Sequence, residues 1–253
     1  MKHTANILTL GNLFCGVLAI IFILQTPDYL TAYNGQDYIV TAPEPIGWAS
    51  VLIGLAALLD FLDGLAARIL KLHSPLGKQL DSLADIVSFG VAPGLILYHL
   101  LRSAWMQYPG ALDVSMIWLL PALLLPCFAA LRLARFNIDP EQQQHFIGVP
   151  TPAVGLLIAS FPLILLKDRF HLESWFGNPW FLYVIIFLLC YLMVSPLRML
   201  SLKFSGFGLT RNLPRYLLIL SVILGIPWLG YGVVPAVFIL YIILSLAFKS
   251  VIK

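Results

Sequence analysis

An all-α, polytopic membrane bundle is the fold class this sequence predicts, and three observations carry it. Of 253 residues, 60% are apolar and only 11% charged, a balance outside soluble globular usage. Apolar runs long enough to cross a hydrocarbon layer roughly 30 Å thick recur from end to end, and no hydrophilic block is large enough to fold separately. The Lys and Arg residues alternate along the chain so that one orientation is strongly favoured. The net charge of +3 is absorbed by that topology, so nucleic acid is not implied as a partner.

Eight spans are expected, at residues 7–24, 46–72, 75–101, 115–135, 150–166, 180–198, 213–226 and 229–248. The first follows a short polar start. No small-residue cleavage site appears before Gln25, Thr26 and Pro27, so it reads as a retained span rather than a signal peptide. The loop that follows carries Asp28, Asp37 and Glu44 without a Lys or Arg, as an outward-facing loop should. Between the second and third spans, Ser74 and Pro75 supply an N-cap and a first-position proline, with His73 in a tight turn. Those two helices must then be antiparallel neighbours. Only Pro227 and Trp228 separate the last two runs, which form a tight hairpin or a re-entrant pair. The expectation is one domain, 1–253, with a six-helix catalytic core over about residues 5–215 and a C-terminal hydrophobic pair over about 213–248.

Charge tests the scheme independently. With both termini cytoplasmic, Lys2, Arg68, Lys71, Lys78, Arg132, Arg135, Arg198, Lys203, Arg211, Arg215, Lys249 and Lys253 fall inside and only Arg102, Lys167 and Arg169 outside, which accounts for all 15 Lys and Arg. The opposite orientation inverts that ratio. Trp48, Trp105, Trp118, Trp175, Trp180 and Trp228 stand near span ends, where an interfacial belt places them. Cys15, Cys127 and Cys190 lie in separate apolar runs with no paired spacing, which reads as packing rather than a disulfide or zinc site.

Ionisable residues inside a span are costly and are usually retained for function. Asp60 stands fourteen residues beyond Ile46, roughly 21 Å along the helix and in the cytoplasmic third of the bilayer. Asp60, Asp63, Gly64 and Ala67 share one helix face, with Arg68 beside them, and small residues there let a ligand approach the backbone. On the next helix Asp81 and Asp85 stand at i and i+4, with Gly77 one turn earlier. The two carboxylate pairs come to similar depth, roughly 9 to 14 Å below the turn, and can meet. Four converging carboxylates repel unless cations neutralise them. Hard divalent ions, Mg²⁺ or Mn²⁺, suit such oxygen ligands, and a paired-metal site can hold a diphosphate. The bland alternative is a solvated network of these aspartates with Arg68, Lys71 and Lys78.

The run Asp60-x2-Asp63-Gly64-x2-Ala67-Arg68-x8-Gly77-x3-Asp81-x3-Asp85 resembles the CDP-alcohol phosphotransferase signature at every fixed position. The resemblance implies transfer of a phosphatidyl-type group from a CDP-linked lipid to an alcohol, with CMP released and Mg²⁺ or Mn²⁺ required, two ions in all. Under it, Asp60, Asp63 and Asp81 are similar to the metal ligands, and Asp85 to both a ligand and the general base. Asp60, Gly64, Ala67, Arg68 and Gly77 are similar to the CDP-binding set. Residues 9–16, 81–94, 133–137 and 146–153 resemble the phosphatidylserine synthase branch, with Val149 where leucine is more usual. Ser82 and Ile86 stand where the phosphatidylglycerophosphate branch reads proline and lysine. The resemblance covers about Thr9 to Arg215; the last two spans are known only as hydrophobic.

Within that branch CDP-diacylglycerol and L-serine are the implied substrates, a homodimer the implied assembly, and the cytoplasmic face of a bacterial cytoplasmic membrane the implied site of action. The serine carboxylate needs a cation. Arg132 and Arg135 are the candidates, with Asn137 as a polar contact; their plain alternative is to set topology against lipid phosphate. Asn12, at membrane depth, either lines the lipid-nucleotide cleft or bonds between helices. Arg198, Lys203, Arg211 and Arg215 read as an anionic-lipid surface, and His73 and His145 as inert loop residues. Glycerol 3-phosphate, inositol phosphate or choline are the rival acceptors. An ion-coupled transporter would place carboxylates at the midplane of broken helices, and a channel would need an acidic path through the outer half; neither pattern appears.

Overall fold

The computed structural model describes residues 2–33, 36–41, 43–69, 75–107, 114–139, 146–167, 171–200 and 209–248. Lys71, His73, Ser74, His145, Arg169, Lys203, Lys249 and Lys253, all named above, lie outside them. The chain is a bundle of helices: α1 (Lys2–Leu24), α2 (Pro43–Ile69), α3 (Pro75–Ile86), α4 (Ala92–Trp105), α5 (Leu124–Ile138), α6 (Thr151–Lys167), α7 (Glu173–Phe176), α8 (Pro179–Val194), α9 (Leu209–Leu229) and α10 (Val233–Ala247). Among the described residues, five stretches are long and apolar enough to cross a membrane: Asn6–Leu24, Glu44–Ile69, Pro75–Trp105, Leu120–Ile138 and Asn212–Ala247; α6 and α8 are shorter apolar helices.

Small residues let these helices approach closely. Ala19, Ala49, Ala56, Ala92, Ala122 and Ala129 are fully buried, and such residues replace the hydrophobic drive that lipid cannot supply. The opposite faces are apolar and exposed, as in Leu10, Phe14, Val17 and Ile21 of α1 and Val184, Phe187 and Leu188 of α8; side chains of that kind face lipid at no cost.

Contacts tie the helix ends into two groups. At one end the Trp105 indole donates to the Tyr183 hydroxyl (3.0 Å), which donates to the Trp118 carbonyl (2.6 Å), and Lys167 lies over the Tyr231 ring, 5.1 Å from its centroid. At the other, β3 (Phe146–Ile147) pairs antiparallel with β4 (Arg198–Met199). There Leu200 accepts from the Tyr241 hydroxyl (3.1 Å) and donates its N–H to Ser245 Oγ (3.1 Å).

Several details differ from expectation. β1 (Asp28–Tyr33) and β2 (Gln36–Thr41) form a hairpin in register from Asp28↔Thr41 to Tyr33↔Gln36, where only a loop was expected. Its strands hold aromatic and β-branched residues around an Asn34-Gly35 dipeptide, a sequence signature of a hairpin. The fourth span begins as 3₁₀ turns at Met116–Trp118 and Leu120–Leu123 and becomes α-helical only at Leu124, because Pro121 and Pro126 remove N–H donors there. α9 runs through Pro227 to Leu229, so the break falls at Gly230–Gly232 rather than at Pro227 and Trp228. Gly230 has φ +54°, a left-handed conformation that suits glycine, and α10 folds back until Val233 packs against Gly225.

Candidate active site and metal centre

Glycine spacing builds the site. α3 and α4 are joined by a π-helical turn, Val87–Val91, immediately after Asp85. The turn is tightly enclosed: Gly16 of α1 meets Ser88, Gly155 of α6 meets the Phe89 backbone, and Gly90 and Gly94 meet Pro126 of α5. A Cβ on Gly155 would come within 2.9 Å of Phe89 Cβ and 3.0 Å of its Cα, closer than packed atoms tolerate. One extra residue per turn rotates the following helix by about 100°, so α3 directs its acidic face toward α1 and α2 while α4 packs in the apolar core.

Asp60 and Asp63 of α2 and Asp81 of α3 each offer a carboxylate oxygen within 4.8 Å of the others. Asp63 is buried and the other two half-buried. Asp85, 7% exposed, stands one helical turn beyond Asp81, outside that tight trio. α1 supplies the polar partners: Thr9 Oγ1 donates to Asp63 Oδ2 at 2.6 Å, Asn12 Nδ2 donates to Asp85 Oδ1 at 3.4 Å, and Ser88 Oγ donates to the Asn12 carbonyl at 3.1 Å. Asn12 is fully buried, and its Oδ1 has no partner among the described residues. Thr9, Asn12 and Gly16 follow at i, i+3 and i+7, one face of α1.

The cationic network that could have neutralised these carboxylates does not form among the described residues. Arg68 is exposed, its Nε donating to the Gly64 carbonyl at 3.0 Å. Lys78 Nζ donates to the Asn137 carbonyl at 3.0 Å. The donor set fits a hard divalent cation: clustered carboxylate oxygens, half open to the surface, with neither Arg68 nor Lys78 bonded to them among the described residues, Lys71 lying outside these. Gly64 adds room, since a Cβ there would meet only Arg68 Nη2 at 3.7 Å; Ala67 and Gly77 are half-buried on the same two helices.

The residues named for the acceptor are brought to different places. Arg132 is 6% exposed, with Nη1 donating to Thr151 Oγ1 at 2.8 Å and Nε buried without a partner among the described residues. It lies within electrostatic reach of Asp85 and of the Tyr241 hydroxyl. Arg135 is exposed. Asn137 clamps α3 to α5, its Nδ2 donating to Ser82 Oγ at 2.7 Å while its carbonyl holds Lys78. Sequence reasoning did not single out Thr9, Ser88, Thr151 or Tyr241. Thr9 was within reach, sharing the helix face of Asn12, whereas the other three matter only through contacts far along the chain.

The sequence model for CDP-alcohol phosphatidyltransferases matches residues 2–194. Among similar proteins is a CDP-diacylglycerol–serine O-phosphatidyltransferase of Bacillus subtilis (strain 168), 34% identical over 170 residues, covering 65% of this chain and 81% of that protein. One of the same name from Helicobacter pylori (strain J99) is 31% identical over 252 residues, covering 93% and 91%. An archaetidylserine synthase of Methanothermobacter thermautotrophicus is 33% identical over 147 residues, covering 55% and 58%.

Proposed function

The chain belongs to the CDP-alcohol phosphatidyltransferase family, and from that membership we propose that it transfers the phosphatidyl group of CDP-diacylglycerol to the hydroxyl of L-serine, giving phosphatidylserine and CMP. The observation that carries this reading is the acidic trio of Asp60, Asp63 and Asp81 beside an Asp85 held by Asn12. Serine as acceptor is supported by the names of the three relatives, which share it although one names a different lipid.

The step is a direct displacement. The serine hydroxyl oxygen attacks the phosphatidyl phosphorus, the bridging P–O bond of the diphosphate breaks, CMP leaves, and the hydroxyl proton passes to the Asp85 carboxylate. Asn12 bonds that carboxylate, and a general base in place contributes about 10²- to 10⁴-fold in rate. Asp60, Asp63, Asp81 and Asp85 would hold two Mg²⁺ or Mn²⁺ ions. When bound, these would offset charge on the diphosphate and on the leaving CMP. Gly64, Ala67 and Gly77 leave space for the nucleotide, with Arg68 at its phosphates, and Arg132, Arg135 and Asn137 are the candidates for the serine end. In the same reading 1–253 is one catalytic domain with eight crossings, both termini and the acidic site face the cytoplasm of a bacterium, and two copies assemble.

The test is release of CMP from CDP-diacylglycerol by purified protein in detergent with Mn²⁺ or Mg²⁺, offering L-serine, glycerol 3-phosphate, inositol 3-phosphate and choline separately. Release driven by serine alone and abolished by EDTA is expected. Release driven by another alcohol discards serine, and release that survives EDTA discards the metals.

A further inference from the structure

After Glu173 the sequence has no Asp or Glu, yet it carries Arg198, Lys203, Arg211, Arg215, Lys249 and Lys253. We propose that Arg198, Arg211 and Arg215 form a docking surface for anionic phospholipid headgroups at one end of the C-terminal hairpin α9–α10, in the leaflet level with the acidic site. The proposal goes beyond the reaction above and does not depend on which alcohol is the acceptor.

The three arginines come to one end of the bundle. Leu200, two residues after Arg198, is bonded by Tyr241 and Ser245 of α10. α10 folds back on α9 beyond the Gly230 turn, where Val233 packs against Gly225. Ser245 is thirteen residues past Gly232 and Arg215 fifteen before Gly230, roughly 20 to 22 Å along each helix, so the two come level. Arg198 is exposed. Arg215 Nη1 donates to Oδ1 of the fully buried Asn212 at 2.7 Å, a bond that takes one of its five N–H donors and anchors the side chain at the start of α9. The strand of Arg198 pairs with β3, and Thr151, just after β3, holds Arg132 within electrostatic reach of Asp85. This end of the hairpin is therefore the end that carries the carboxylates. Lys203, Lys249 and Lys253 lie outside the described residues and enter only as charge.

The surface that the arginines cap is apolar and faces outward. Leu213, Leu217, Leu220 and Leu224 recur at i, i+4, i+7 and i+11 and are all exposed, so an apolar strip begins on α9 immediately after Arg211. Trp228, near the far end of the helix, is seventeen residues from Arg211, roughly 26 Å away and close to the hydrocarbon thickness of about 30 Å. With the tryptophan at one interface, the arginines stand at headgroup level at the other. α9 has no acidic residue in its first turn, and cations there add to the positive end of the helix dipole instead of offsetting it. An anion is what this end lacks. Guanidinium engages phosphate oxygens through paired N–H bonds, and the strip beneath selects a lipid over a soluble anion, because acyl chains lie on the leucines while the headgroup meets the arginines. CDP-diacylglycerol is itself anionic, so the surface gathers it beside the site without touching the reacting atoms. Topology alone accounts for cations on this side but implies no lipid preference.

The test uses the full chain in nanodiscs of phosphatidylcholine, with spin-labelled phosphatidylglycerol or spin-labelled phosphatidylcholine as the probe, and reads the fraction of each immobilised at the protein. Wild type is expected to hold the anionic probe at least about fivefold more strongly, the effect of one well-placed cation. About 1 M NaCl should abolish that preference, since fields then reach only about 3 Å. Arg198→Gln, and the pair Arg211→Gln with Arg215→Gln, should each lower it by about two- to fivefold. Arg102→Gln, at the Trp105 end of α4, should leave it unchanged. With all three arginines replaced, half-maximal CMP release should need about two- to fivefold more CDP-diacylglycerol in the bilayer, with kcat within about twofold of wild type. No anionic preference in wild type, a preference that survives the three substitutions, or an equal fall in Arg102→Gln overturns the proposal. A lost preference with an unchanged need for CDP-diacylglycerol overturns the gathering of substrate. Should the pair fail to fold, Arg198→Gln measured against Arg102→Gln decides. Protein that shows the preference but releases no CMP with any acceptor would sink the reaction and leave the docking surface standing.

Discussion

At the scale of single residues, the site divides into carboxylates that gather charge and neighbours that aim them. Asp85→Asn is nearly isosteric and keeps a group for Asn12 to bond, so it should leave CDP-diacylglycerol binding measurable while lowering CMP release by at least about 10²-fold, the lower end for a lost general base. A near-normal rate in that variant removes Asp85 from the role. Asp60→Asn differs in kind: it takes charge from the trio that lies within 4.8 Å. Binding of the CDP-lipid, followed by equilibrium titration at fixed Mn²⁺, should weaken along with turnover. Thr9→Val deletes the 2.6 Å donor to Asp63 at nearly constant volume. A buried acceptor left short of a partner costs about 1 to 3 kcal/mol, so the Mn²⁺ concentration for half-maximal activity should rise roughly five- to a hundredfold; an unchanged midpoint would mean that water replaces the hydroxyl. The four aspartates were legible because charge in an apolar run has few structural explanations. Ser88 and Thr151 were not, because a hydroxyl in a span costs little and its partner, 76 or 19 residues away, is invisible until the helices pack.

At the scale of elements, periodicity placed the acidic pairs on faces of α2 and α3 that do meet, since Pro75 starts α3 where the N-terminal proline rule puts it. The π turn at Val87–Val91 escaped it, because a single extra residue within a continuous apolar run leaves no mark on hydropathy. The turn makes the glycines around it the sensitive positions. Gly155→Ala should destabilise the protein by about 1 to 3 kcal/mol, as overpacking does, because the added methyl meets the Phe89 backbone. Thermal unfolding in detergent would register this as a lower midpoint, and full stability in Gly155→Ala would mean that α6 can slide away from the π turn. Gly54, with nothing within 4 Å of its would-be Cβ, is the internal control, and Gly54→Ala should hold or slightly gain stability through helix propensity. The β1–β2 hairpin was missed for a different reason. Charge assigned the segment to an outer loop, and the strand-forming residues flanking Asn34-Gly35 were read only for what they lacked.

At the scale of the whole molecule, contacts between distant helix ends test the topology that charge alone suggested. Residues expected on the outer side, Trp105, Trp118 and Tyr183, bond to one another, and Lys167 reaches Tyr231 in the turn between α9 and α10. Residues expected inside meet at the opposite end, where α10 grips Leu200. In the topology proposed above the C-terminal hairpin crosses twice, and the contact of Lys167 at the end of α6 with Tyr231 in the Gly230 turn is consistent with that proposal. Pro227 and Trp228 pointed to the wrong break, because a proline within a membrane helix is tolerated when neighbours re-satisfy the backbone, whereas the left-handed Gly230 cannot continue a helix. Sidedness can be read with single cysteines in a chain whose Cys15, Cys127 and Cys190 are replaced by alanine. A membrane-impermeant thiol reagent applied to intact cells should label Gln107→Cys and Tyr231→Cys, and should reach Ile138→Cys only after lysis. Labelling of Ile138→Cys from outside would invert the whole bundle. Protection of Tyr231→Cys until lysis, with Gln107→Cys still reactive, would make α9–α10 a re-entrant pair.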